Sequence, residues 1–360
     1  MKSIRLQSSR KLQLPSGVLS LSIGHDDRTM VCGCLHGVYL IDGDPNDRQV
    51  DHVERLYEHE SYVSSIAWLD ENHIVSAGYD GTLRWYDVSY RTPLRSVRVH
   101  DFWSWDMSVS PDRTLLASVT GQYLAGGYKY EPQPEREPSL QIVSNATGQI
   151  VQSFSHLPPV QAVAWSDDGR YVAAGNMMGD VRVYNLHDGR TVADWNTPDF
   201  TSWGIIKSHS YLGGIFAMRF TPDGEHLLLA GMGPMRDPMA GNGKQLWQRW
   251  HWNGEKPELS DQTHKDEAGE GLMETLAIHP SGEYFVMGGR LRGGQWNIAL
   301  FDLASGAKII DAKTDFRATE AAFTADGKQL VVAGCDGQDK RDDQGNFQPF
   351  GRVIVYDISS

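Results

Sequence analysis

Residues 58–88 read EHESYVSSIAWLDENHIVSAGYDGTLRWYDV, and this stretch decides the fold. Two short apolar runs, VSSIAW and HIVSAG, flank a turn centred on Glu71, and a second turn at Asp80-Gly81 leads into a third run, TLRWYD. Asp, Asn and Gly tolerate the backbone angles a tight reversal needs. The β-branched and aromatic residues between the turns suit a pleated, half-buried surface. The stretch therefore predicts three antiparallel strands joined by tight turns.

The same turn recurs along the chain. It stands in SIGHDDRTMV, AWLDENHIVS, SVSPDRTLLA, AWSDDGRYVA, RFTPDGEHLL, AIHPSGEYFV and AFTADGKQLV, centred near Asp27, Glu71, Asp112, Asp168, Asp223, Ser281 and Asp326. Seven such turns spaced roughly 40 to 60 residues apart match the blade period of a β-propeller. Each unit continues into a third strand (GVYLID, GTLRWYD, SLQIVS, GDVRVYN, QLWQRW, WNIALFD and RVIVYD), and several into a fourth, as in NLHDGRTVADW. Helical periodicity is almost absent. The prediction is an all-β, seven-bladed propeller of four-stranded antiparallel blades, with residues 1–360 as one domain. A four-stranded sheet buries both faces only by stacking on its neighbours, which ties the blades into one cooperative unit.

The last unit ends at VIVYDISS, one strand short, while the segment SIRLQSS precedes the first complete unit. A strand over about Ser3 to Gln7 is expected to complete the last blade, covering an otherwise open ladder.

In residues 58–88, His59 falls in the loop before the first strand, Ser76 in the second strand, Asp80 in the tight turn, and Tyr86-Asp87 where a Trp-Asp pair is common. This order resembles the WD-repeat family. The resemblance implies that His59, Ser76, Asp80 and Tyr86 form a structural hydrogen-bond chain. Other units depart from the motif: the fourth has His156 and Tyr184-Asn185 but Met178 at the turn, the sixth Phe301-Asp302 and the seventh Tyr356-Asp357. The motif supports the architecture and does not specify a partner.

Composition narrows the function. Against 33 Lys+Arg stand 46 Asp+Glu, a formal net charge of −13. Phosphate backbones and anionic membrane surfaces require clustered cations, so neither nucleic acid nor membrane is expected as a partner. The cysteines, Cys32, Cys34 and Cys335, are too few for a disulfide framework, and the Cys32-x-Cys34 pair, within the apolar run TMVCGCLHGVYL, reads as buried thiols. The basic N-terminus has no apolar signal region and no apolar run is long enough to span a bilayer, so a cytoplasmic, monomeric propeller is expected.

The chain carries no G-x-S-x-G elbow, H-E-x-x-H helix or phosphate loop. The acidic loop Asp336–Asn346 misses the calcium-loop spacing. No cofactor, metal or catalytic residue is assigned.

Extra length gathers at one end of the ring. Three loops between second and third strands are long, TGQYLAGGYKYEPQPEREP, GMGPMRDPMAGNGKQ and GCDGQDKRDDQGNFQPFG, and the connection NTPDFTSWGIIKSHSYLGG belongs to the same end. Insertions collected on one face mark the binding face of a repeat protein. Candidate contacts there are Trp103, Trp105, Tyr123, Trp203, Tyr211, Arg236, Arg290, Arg292 and Arg317, residue types enriched in binding hot spots.

These features point to a non-catalytic scaffold for a protein or peptide, marked by an aromatic patch with Arg at its rim and no convergent titratable cluster. The alternatives are a propeller hydrolase, lactonase or isomerase, or a small-ligand sensor. Either would show carboxylates or histidines with perturbed pKa converging on the central channel.

Overall fold

The computed structural model describes residues 4–43, 51–121, 134–200, 214–237, 242–265, 267, 273–290, 295–337, 343–344 and 348–359. Strand β1 (Arg5–Leu14) comes first in the chain. Blade one is β2 (Val18–Ile23), β3 (Met30–Cys34), β4 (Gly37–Gly43) and β5 (Asp51–Tyr57); blade two is β6 (Val63–Trp68), β7 (His73–Gly78), β8 (Thr82–Asp87) and β9 (Thr92–Arg98). Blade three is β10 (Ser104–Val109), β11 (Leu115–Thr120), β12 (Leu140–Ser144) and β13 (Ile150–Phe154); blade four is β14 (Val160–Trp165), β15 (Tyr171–Asn176), β16 (Asp180–Asn185) and β17 (Arg190–Asn196). Blade five is β18 (Gly214–Phe220), β19 (His226–Asp237), β20 (Asn242–His251) and β21 (Glu258–Gln262); blade six is β22 (Met273–Ile278), β23 (Tyr284–Gly289), β24 (Ile298–Asp302) and β25 (Lys308–Ala312). Blade seven is β26 (Arg317–Phe323), β27 (Gln329–Cys335) and β28 (Gly351–Ser359), with β1 as its fourth strand. The fold is thus a seven-bladed β-propeller, as the turn count predicts. Among the described residues the one helical element is a 3-10 turn, Pro198–Phe200.

Closure differs from expectation in extent. β1 pairs antiparallel with β28 from Arg5↔Ser359 to Leu14↔Gly351, well beyond the predicted Ser3–Gln7. The polar run SSRK does not end the strand, because an outermost strand faces solvent along most of its length and Leu12 and Leu14 still reach the core. A second difference lies in blade five. The stretch GMGPMRDPMAGNGKQ, expected as a loop, is largely a paired hairpin, with Met235 opposite Gly243 and Asp237 opposite Asn242. Pro234, which has no N–H to donate, falls at the irregularity between Met232 and Met235.

Each neighbouring pair of blades encloses its own apolar cluster. Val31 and Leu40 of blade one meet Ile66 and Trp68 of blade two, and the series runs round the ring to Val331 and Val355 of blade seven against Met30 and Ile41 of blade one. Between blades five and six the fully buried Trp247 packs edge-on to Phe285 and Phe301.

The innermost strands define the channel. Each carries a β-bulge near its start, where the register slips at Leu19, Ser64, Trp105, Gln161, Phe216, Glu274 and Thr319. A bulge turns an extra side chain out of the ladder, and all seven of these residues line the channel. A second slip recurs between the third and fourth strands of all seven blades. β1 reproduces it at Ser9, so the N-terminal strand obeys the same geometry as the other outer strands.

Candidate functional site

The start of each inner strand lies at the end of the ring that carries the long insertions, and aromatic side chains collect there. Tyr79 follows β7, and Phe102, Trp103 and Trp105 lead into and open β10. Tyr79 stacks on Trp103 at 4.8 Å with 6° between the planes, Phe102 stacks on the same indole at 4.9 Å, and Trp105 lies 6.4 Å from it. Tyr62, 44% exposed, leans on Tyr79 at 5.7 Å. Gly121 makes room for Trp105: a Cβ there would come within 3.0 Å of the indole. Burial pushes the Tyr79 phenol up to about 12, so it stays a neutral donor and acceptor.

Below the aromatic rim the channel wall is charged. Arg317 of β26 forms a bidentate pair with Glu274 of β22, at 2.6 to 2.9 Å. The Glu274 side chain is only 9% exposed. Its burial raises the carboxyl pKa, against the pull of Arg317 and a smaller one from Arg290. Deeper lie Asp106 of β10, Glu320 of β26 and Arg219 of β18, in a cavity of about 220 Å³. Burial pushes Asp106 up to about 6 and Glu320 up to about 7, in both cases against Arg219.

Both carboxylates also join blades. Asp106 accepts from Ser65 Oγ at 3.1 Å in blade two and from the Val163 amide at 2.9 Å in blade four. Glu320 Oε1 accepts from Thr275 Oγ1 at 2.8 Å, and that hydroxyl oxygen in turn accepts from the Ala321 amide. A convergent titratable cluster is therefore present in the channel, contrary to expectation. Sequence reasoning passed over it because Asp106, Arg219 and Glu320 each stand about 100 residues or more from the next along the chain. The available signal was a carboxylate inside an apolar strand, in WDMSV and in TEAAF.

Of the expected contact residues, Trp103 stands in the aromatic stack and Arg317 in the wall beside it. Arg317 is already engaged by Glu274. Arg290 is exposed next to β23, and Arg236 lies in β19 rather than in a loop. Tyr123, Trp203, Tyr211 and Arg292 lie outside the described residues.

In blade two His59 Nδ1 sits 3.1 Å from Asp80 Oδ2 and His59 Nε2 sits 2.7 Å from Ser76 Oγ. Asp80 further accepts from Thr82 Oγ1 at 2.7 Å and from the Glu60 amide at 3.1 Å. Burial would raise its pKa, but the hydrogen bonds from His59 and Thr82 outweigh it and hold the carboxyl far below the usual range. The next residue must be glycine: Gly81 has φ +74°, and a Cβ would come 2.3 Å from the His100 carbonyl oxygen. The fourth member differs from expectation. Tyr57 OH, from the outer strand of blade one, is 2.8 Å from Ser76 Oγ, whereas Tyr86 OH donates to the Leu56 carbonyl at 3.4 Å. The blade geometry explains this: Tyr86 stacks on Tyr57 at 4.6 Å and supports it from the side.

Other clusters offer less. Asp223, Glu225 and His226 come within metal-ligand reach of one another, but the first two are exposed and Asp223 caps its own turn through Thr221 and Glu225. A larger cavity, about 690 Å³, opens between blades five and six away from the channel. Its Arg249 is held by the carbonyls of Leu303 and Ala304 and by Asp261.

Comparison with known proteins agrees with this geometry. The family model described as "WD domain, G-beta repeat" matches residues 51–87 and 148–185. Each match spans the outer strand of one blade and the three inner strands of the next. Telomerase protein component 1 of Rattus norvegicus is 23% identical over 192 residues, 53% of this chain but 6% of that protein. The Mus musculus protein of the same name is 24% identical over 198 residues, 55% of this chain and 7% of its own length. Apoptotic protease-activating factor 1 of Rattus norvegicus is 23% identical over 192 residues, 50% of this chain and 14% of that protein. The chain thus spans a small part of each relative.

Proposed function

Taking the chain as a seven-bladed propeller of the WD-repeat family, we propose that it is a non-catalytic scaffold. It holds a protein or peptide partner across the end of the ring that carries Trp103. The observation behind this reading is the stack of Phe102, Trp103, Tyr79 and Trp105 at the channel mouth, with half-exposed Tyr62 beside it. Aromatic side chains supply large contact area at low entropic cost, and such clusters dominate binding energetics. The WD-repeat relatives support a protein-interaction role. Arg290 adds an exposed charge at the same end, and the three free, buried thiols favour a reducing compartment such as the cytoplasm.

A second reading, a small-molecule or catalytic site in the channel, is favoured by Asp106, Glu320 and Arg219 in one cavity. The blade-joining hydrogen bonds on both oxygens of Asp106 count against a catalytic role for that residue, because a general acid or base needs a free oxygen to approach substrate. Only Glu320 keeps one.

The test compares Trp103→Ala with Glu71→Ala, Asp168→Ala and Glu283→Ala at the opposite end, each checked for folding by circular dichroism. The proteins recovered by the wild type should be lost with Trp103→Ala alone. Loss confined to the opposite-end variants overturns the reading.

A further inference from the structure

Among the described residues that line the channel throat, carboxylates outnumber guanidinium groups. The charged groups facing it are Asp106 from β10, Arg219 from β18, Glu274 from β22, and Arg317 and Glu320 from β26; β2, β6 and β14 contribute Leu19, Ser64 and Gln161. Three carboxylates face two guanidinium groups. Glu274 and Arg317 neutralise each other. Asp106 and Glu320 then share Arg219, whose guanidinium donates to the Met218 carbonyl at 2.7 Å and makes no ion pair within 4.0 Å among the described residues. An uncompensated carboxylate away from bulk water is unfavourable, so the throat favours a guest that brings one positive charge.

Hydrogen-bonding capacity points the same way. Gln161 is 5% exposed, and its Oε1 is buried without a partner. Glu320 bonds through Oε1 and makes no hydrogen bond through Oε2 among the described residues. Glu320 Oε2 thus keeps open acceptor capacity at the cavity, and the Gln161 side chain lies on the same wall. Among the described residues the one orphan donor on that wall, Trp105 Nε1, stands higher, where the aromatic rim begins. Buried polar groups without partners are rare and call for an explanation.

We propose that the channel throat receives a single organic cation, a guanidinium or ammonium group on a side chain of the bound partner, held by Glu320 and Gln161 behind the aromatic mouth. A volume of about 220 Å³ suits one side chain rather than a folded element. Tyr79, Trp105 and Phe216 line the approach with aromatic side chains, whose faces attract cations. An anion would add to the existing excess of negative charge and would find Arg317 already paired. The peptide source rests on reading this end as the partner face; the cation chemistry of the throat does not.

The experiment is calorimetric titration of the full chain with capped Gly-Arg-Gly, Gly-Lys-Gly, Gly-citrulline-Gly and Gly-Glu-Gly peptides, and with methylguanidinium. The Arg or Lys peptide should bind roughly tenfold more tightly than the neutral citrulline peptide. Glu320→Gln, folded by its melting curve, should lose about that factor. The wild type supplies a second measurement. Because burial holds the Asp106 and Glu320 carboxyls near neutrality, a cation should displace up to about one proton near pH 6.5. That proton appears as a dependence of the heat on buffer ionisation enthalpy, and affinity should rise between about pH 5.5 and 7.5. Equal binding of the citrulline peptide, tightest binding of the Glu peptide, or no binding of any probe overturns the proposal. Methylguanidinium binding without the Arg peptide keeps the cation site and overturns the peptide source. If no cation binds while partner capture still depends on Trp103, the throat proposal falls and the face reading stands.

Discussion

The Tyr57 hydroxyl lies 2.8 Å from Ser76 Oγ, joining the outer strand of blade one to the second strand of blade two. One direction of donation satisfies every atom: Tyr57 to Ser76, Ser76 to His59 Nε2, and His59 Nδ1–H to Asp80. Asp80→Ala strands buried donors and should lower stability by roughly 1–3 kcal/mol. Tyr57→Phe should cost about 1 kcal/mol and Tyr86→Phe less, since its bond to Leu56 is long. Urea midpoints read all three, and equal losses for the two tyrosines would refute the assignment of Tyr57.

Closure by β1 predicts that removing residues 1–14 lowers the melting temperature by several degrees. The truncation bares the full length of β28, an open ladder that invites aggregation. Calorimetry and light scattering should therefore change together; an unchanged melt refutes the role of β1.

Glu320 predicts a pH effect of defined sign. Its carboxyl is held up to about 7, mainly by burial, so the folded chain binds that proton more tightly than the unfolded chain does. This contribution is fully present below the ordinary carboxyl pKa and is lost as pH rises through about 7. Glu320→Gln removes it while keeping an oxygen for Thr275. The melting temperature of the variant relative to wild type should rise between about pH 4.5 and 8, by an amount worth roughly 3 kcal/mol. Burial lowers His100 and His156 to about 4, an effect of opposite sign that cancels because both proteins share it.

Arg317 is as much a structural partner as a surface contact. Arg317→Ala leaves the nearly buried Glu274 unpaired and should destabilise by roughly 1–2 kcal/mol, discounted for the exposure of the guanidinium. Adding Glu274→Gln should recover most of the loss in a double-mutant cycle. Additive losses would show that the pair contributes nothing.

Cys32, Cys34 and Cys335 are free and buried, and burial raises all three thiol pKa values, that of Cys335 to about 11. Thiolate is the reactive form. A colorimetric disulfide reagent at neutral pH should label them only in denaturant; rapid labelling of the folded chain contradicts their placement.

Local chemistry determined the blade count. Each of the seven turns is set by residues a few positions apart, where Asp, Asn, Gly and Pro choose backbone angles without help from the rest of the chain. Stacking then forced closure, and the His59, Ser76 and Asp80 positions were legible because one blade holds all three. Tyr57 was not, since it belongs to the preceding blade and meets Ser76 only when two sheets pack. Nor did polar residues mark the end of β1, because an outer strand has no buried face to keep apolar along its length. The channel was decided by tertiary structure alone. Bulges at Trp105, Gln161, Phe216, Glu274 and Thr319 aim residues from five blades at one axis. Only ring closure brings Asp106 and Glu320, more than 200 residues apart in the chain, to the same Arg219, where exclusion of water turns ordinary carboxylates into groups that hold their protons near neutrality.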